Sequence, residues 1–76
     1  LAAEQGYARA QGVLGQCYKE GAGVEQDDVL AYMWFDIATP YYNGALIDKG
    51  SLHKTMTQEQ IAEAQKLSLE WKPKGQ

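Results

Sequence analysis

The chain is poor in the residues that staple, ligate or break: one cysteine, one histidine and two prolines among 76 residues. A lone cysteine closes no disulfide within the chain, which excludes the disulfide-framed small scaffolds. Because Cys17 and His53 are unique, a nucleophile and base pair of that type would have to use both. Basic residues are also short, with seven Lys and Arg against ten Asp and Glu and a net charge of −3. No basic stripe is available to displace counterions from a phosphate backbone, so a nucleic-acid partner is excluded. No apolar run approaches the length of a membrane span.

What is present is helical periodicity. Ala10, Leu14, Cys17 and Tyr18 recur at i, i+4, i+7 and i+8, and Ala31, Trp34, Phe35 and Ala38 repeat that spacing on a second segment. The pattern predicts two amphipathic helices, about Tyr7 to Glu20 and about Asp28 to Thr39, ended by Pro40. Between them, Gly21-Ala22-Gly23 supplies residues able to take a left-handed C-terminal conformation, and Asp27 stands where a carboxylate can cap the next helix. Gly15 is the anomaly, because a glycine inside a helix costs roughly 1 kcal/mol relative to alanine. Contact is the expected offset: without a Cβ there, and with only methyl groups at Ala31 and Ala38, two backbones can approach while Trp34 fills the space beside them.

These residues resemble a known family. Ala2, Ala3, Gly6, Ala10, Leu14, Gly15, Tyr18, Gly21, Gly23, Val24, Asp27, Ala31, Trp34 and Ala38 fill nearly every slot of the Sel-one-like repeat, a branch of the tetratricopeptide-type helical repeats. Two positions depart from the pattern: Leu30, where lysine is common, and Gly12, an additional helix-weakening residue. Met56 to Pro73 is similar to the terminal helix of many bacterial members. The resemblance implies an all-α fold of antiparallel helix-turn-helix repeats stacked as an α-α superhelix, a solenoid, with about one and a half to two repeats in this chain. It also implies adaptor roles in assembling complexes, in signalling or envelope functions, or in host–microbe contact, in the bacterial cytoplasm or the cell envelope.

The expected organisation is a single repeat domain over 1–76. Residues 1–5 read as the tail of a preceding repeat helix with Gly6 as its end signal, 6–39 as a complete repeat, 40–73 as a degenerate terminal repeat and 74–76 as a tail. On this reading the chain is part of a longer array. In the second half, Ala45, Leu46, Lys49 and Leu52 permit a third helix within Tyr41 to Thr55, which Gly44 and Gly50 weaken. The fourth helix is sharply signed: Thr57-Gln58-Glu59-Gln60 fits a capping box, and Met56 with Ile61 fits the apolar staple around it. Ile61, Ala64, Leu67, Ser68 and Trp71 form its inward face, and Pro73 stops it. Trp34 and Trp71 are separated by 37 residues, as are Leu30 and Leu67, a spacing within the periods of helical repeats.

Chemistry is sparse on the same reading. Cys17 shares a face with Leu14 and Tyr18 and reads as a small core residue; His53 reads as a solvated side chain near a helix C-terminus. Asp27, Asp28 and Glu25 lack the alternating oxygen ligands and distant bidentate glutamate of a calcium loop, and capping accounts for Asp27. Gly21-Ala22-Gly23 follows no strand and precedes no lysine-serine pair, so it is a turn and not a phosphate cradle. The sequence therefore predicts no catalytic, cofactor or metal residues.

The expected function is a non-catalytic scaffold that binds a partner protein or peptide on a concave helical face. Its candidate contact residues are Arg9, Val13, Gln16 and Glu20, turned away from Leu14 and Tyr18, with Tyr41 and Tyr42 as an exposed aromatic pair. Two alternatives stand beside it. One is a hydrolase acting on cell-wall-related substrates, for which the chain offers neither a serine-lysine pair at helical spacing nor a metal cluster. The other is a structural repeat that caps the array or dimerises, a homodimer being possible where a fragment leaves a repeat face uncovered.

Overall fold

The computed structural model describes residues 7–72. The expectations for 1–5, Gly6 and 73–76, Pro73 among them, lie outside the described residues. All regular structure in them is helical: α1 (Ala8–Glu20), α2 (Asp28–Ala38), α3 (Asn43–His53) and α4 (Gln58–Glu70).

The first turn forms as its chemistry dictates. Gly21 takes φ 71° and Gly23 φ 77°, the left-handed region where a Cβ would be strained. The left-handed residue lets the Ala22 N–H reach back to the Cys17 carbonyl at 2.9 Å, satisfying an end group of α1. The Asp27 N–H donates to the Tyr18 carbonyl at 3.0 Å, and Asp27 Oδ1 accepts from the Leu30 N–H at 3.1 Å, capping α2. Tyr18 thus meets the start of α2, and Gly15 meets Ala31 and Phe35 further along. The two helices run antiparallel.

At their crossing, a Cβ on Gly15 would lie 2.8 Å from two Phe35 ring carbons and 3.2 Å from the Ala31 carbonyl oxygen. The close approach expected at Gly15 is present: the Phe35 ring lies over it, and Trp34 fills the space beside it, packed against Ala10, Leu14 and Tyr18 of α1. The buried positions of α1 are accordingly Gln11, Gly12 and Gly15, while Leu14 and Tyr18 are half-buried against the core. Cys17, expected in the core, is also only half-buried, because the inward stripe of α1 is rotated toward its glycines.

Helix α2 is the centre of the molecule. Five consecutive residues, Ala31 to Phe35, are buried, so it is covered all round and not along one stripe. Two clusters form on it. One joins Ala31, Tyr32, Phe35 and Ala38 to Ala45 and Leu52 of α3, to Met56, and to Ile61 and Ala64 of α4. The other sets Met33 and Trp34 against Ala10, Leu14 and Tyr18 of α1, Leu67 of α4 and Trp71 just past its end. Helices α1, α3 and α4 each pack on α2, whereas α3 and α4 make little close backbone approach to each other. Trp34 and Trp71 touch edge to face, ring centroids 5.5 Å apart and planes at 71°.

The second half follows its end signals. Thr57 Oγ1 accepts from the Gln60 N–H at 3.1 Å while Gln60 Oε1 accepts from the Thr57 N–H at 2.9 Å, the reciprocal box that starts α4. Met56 and Ile61 lie buried in one cluster on either side of it. In contrast, α3 has no side-chain cap and buries only Ala45 and Leu52. The helix that Ala45, Leu46, Lys49 and Leu52 permit is present; Ala45 and Leu52, seven residues apart, set its packed face, and Leu46, about 100° round from it, is 54 % exposed.

The two α1 glycines should respond differently to an added methyl group. Phe35 is fully buried and has no room to yield, so Gly15→Ala is expected to cost about 1–3 kcal/mol despite better helix propensity. A Cβ on Gly12 would meet the Tyr42 ring at 2.7 Å, but that ring is partly exposed and can swing outward. Gly12→Ala should therefore stay within about 1 kcal/mol of the unaltered chain, the propensity gain offsetting the lost contact. Trp34→Ala, which empties the second cluster, should cost about 3–5 kcal/mol. Urea midpoints of the three variants read the order directly.

Candidate interaction surface

Arg9, Val13, Gln16 and Glu20 follow one another at helical intervals of four, three and four. Since Gln11, Gly12 and Gly15 turn inward, this stripe turns outward, and Arg9, Val13 and Glu20 are exposed, Val13 by 57 %. Gln16 is half-buried, and its Nε2 donates to Glu20 Oε2 at 2.6 Å, an i, i+4 pair that fixes the orientation of both side chains. The stripe therefore presents a cation, an apolar side chain and an amide–carboxylate pair along one line of α1.

The two tyrosines after Pro40 separate. Tyr41 projects into solvent, 84 % exposed, and meets the expectation of a free aromatic. Tyr42 does not. Its ring lies on Gly12 of α1 and folds back against Gly44, so it is an internal wedge between α1 and the start of α3 with one edge in water. Gly12, which reads in the sequence only as a weakness, is the seat for that wedge. The cause is the short link from α2 to α3: the Tyr41 and Tyr42 N–H groups both donate to the Ala38 carbonyl, turning the chain so that residue 42 faces α1.

Among the other marked residues, Ala10, Val24 and Trp71 are half-buried, and Ala31, Trp34 and Ala38 are buried. They belong to the scaffold and not to the surface. Cys17 is a free thiol on α1, and the His53 ring lies 6.4 Å from the Tyr32 ring, a loose tilted contact between α3 and α2. Among the described residues no group of three His, Cys, Asp or Glu side chains is arranged to hold a metal ion. No described helix is long and apolar enough to cross a membrane.

Two features carry no functional mark in the sequence reading, where Leu46 enters only as a residue that permits the third helix. Leu46 and Ile47 of α3 are 54 % and 76 % exposed, an apolar pair on the outside of the weakest helix. Asp36 joins three helices: its Oδ1 accepts from Lys49 Nζ of α3 at 3.0 Å and its Oδ2 from Ser68 Oγ of α4 at 2.5 Å. A carboxylate set beyond the first turn of α2, among apolar residues, is the one signal that could have drawn notice to Asp36; its partners stand 13 and 32 residues away.

Comparison of the sequence with models of known protein families gives no match. Comparison with curated proteins gives none either.

The distinction between the tyrosines is measurable. Tyr42→Ala removes a ring about two-thirds buried and should lower stability by roughly 1–2 kcal/mol, whereas Tyr41→Ala should change it by less than about 0.5 kcal/mol. Parallel urea titrations would show the split.

Proposed function

We propose that the chain is a Sel-one-like repeat unit acting as a non-catalytic scaffold, which binds a partner protein or peptide along the outward face of α1. On this reading α1 and α2 form one repeat, the second half is a worn terminal unit, and stacking of such units builds a superhelix whose first helices line the concave side. The observation that carries the reading is the α1–α2 hairpin. Its turn glycines, its Asp27 cap and its close approach at Gly15 stand at the positions that carry the resemblance.

Physical economy supports placing the partner on α1. Gly12 and Gly15 lie against Tyr42 and α2, Ala10, Leu14 and Tyr18 pack on Met33 and Trp34, and the opposite stripe of Arg9, Val13 and Glu20 is left open to solvent. A line of mixed chemistry suits recognition of an extended or helical peptide, with Val13 as apolar contact and the two charges setting register. Tyr41, free and aromatic, is a second contact element.

The test is a pull-down using the whole protein that carries this chain, in unaltered form and with Arg9→Glu, Val13→Asp and Glu20→Lys combined. A matched control reverses charges on α4, at Glu59 and Glu63. Partners recovered by the unaltered protein and the control, and lost at least about ten-fold with the α1 variant, are the expected outcome. Equal recovery by all three would reject the α1 face.

A further inference from the structure

We infer that α3 is a strap that opens from α2 on its own, leaving α1, α2 and α4 assembled. Three independent observations lead there. First, the cluster around Met33 and Trp34 is built from α1, α2 and α4 and includes no residue of α3, so that core survives the departure of α3 intact. Second, α3 and α4 hardly approach each other, so α4 loses little backbone packing when α3 leaves.

Third, α3 is weakly made. It carries Gly44 and Gly50, has no side-chain cap, buries only Ala45 and Leu52, and turns Leu46 and Ile47 to water. Gly50 serves no close contact, since nothing lies within 4 Å of where its Cβ would stand. The glycine there lowers helix propensity with no packing in return.

The other ties of α3 are of kinds that release. Lys49 pairs with Asp36 through side chains 21 % and 26 % exposed, the His53 ring touches Tyr32 only loosely at 6.4 Å, α3 approaches α1 at few points, and the Tyr42 ring rests on Gly12 with an edge in solvent. The Asp36 side chain is already 26 % exposed and keeps Ser68 within hydrogen-bond reach, so the withdrawal of Lys49 leaves its carboxylate solvated and not buried without a partner. Turns at both ends hold the strap. The Tyr41 and Tyr42 N–H groups stay on the Ala38 carbonyl at one end, and Met56 remains buried at the other. Opening uncovers the α2 face of Phe35 and Ala38 beside Ile61 and Ala64, so open and closed forms present different surfaces.

Native-state amide hydrogen exchange at a series of low urea concentrations tests this. Amides of 47–53 should be less protected than those of the α2 interior, with a shallower urea dependence, because opening one short helix exposes little surface. Gly50→Ala should slow exchange in 47–53 by about five-fold, the alanine–glycine difference in a helix. Leu67→Ala, which weakens only the cluster lacking α3, should speed α2 exchange by about ten-fold or more while leaving 47–53 unchanged. A shared urea dependence for α2 and α3, acceleration of 47–53 by Leu67→Ala, or no slowing by Gly50→Ala would each overturn the inference.

Discussion

The rest of the fold depends on the missing Cβ at Gly15. Because nothing projects from that point of α1, the Phe35 ring seats against the α1 backbone and is fully buried, and the Ala31 carbonyl comes within van der Waals range. Phe35 is then fixed at the junction of three helices. Ala45 and Leu52 reach it from one side and Ile61 and Ala64 from another, all in one cluster. A helix-weakening residue worth roughly 1 kcal/mol is thus exchanged for the position of the ring that organises the larger core.

That arrangement makes α2, alone among the described helices, covered on every side, and it divides the interior into two unequal parts. The part holding Trp34 gains from three helices that share aromatic and aliphatic contacts, including the edge-to-face pair with Trp71. The part holding Phe35 is wider but closed on one side by α3, which contributes an alanine and a leucine. A chain this short has little stability to spare. It concentrates what it has in α1, α2 and α4, and α3 is retained by a turn at each end and a partly exposed ion pair worth at most about 1 kcal/mol.

Short-range features were legible in the sequence because their chemistry is complete within a few residues. The Gly21 and Gly23 turn, the Asp27 cap and the Thr57–Gln60 box each need only neighbours, and each stands in the structure at its predicted position. The outward stripe of α1 was legible in the same way, as the complement of an inward face. What the pattern did not give is which ring seats on Gly15. Ala31, Trp34, Phe35 and Ala38 all fit the inward pattern of α2; Trp34 packs beside the crossing on Ala10, Leu14 and Tyr18, and the ring over Gly15 is Phe35. Contacts across the chain left no local trace: Tyr42 on Gly12 and the meeting of Lys49 and Ser68 at Asp36 follow from how helices cross.

The same distinction bears on where function resides. Caps, turn glycines and the Gly15 crossing specify a helical frame and say nothing about what it binds, since every one of those groups is occupied within the fold. On the proposed reading, recognition would fall to side chains that the frame leaves unused, and these are of two sorts. Arg9, Val13 and Glu20 stand on a helix braced against α2 along its opposite face, so their spacing is rigid and suits a partner that reads distance. Leu46 and Ile47 stand on a helix whose own folding is marginal, so any contact they make also stabilises α3 in place. A partner engaging them gains less affinity per contact, because part of its binding energy orders the strap, but its binding is coupled to the state of the Phe35 cluster in a way that binding to α1 is not.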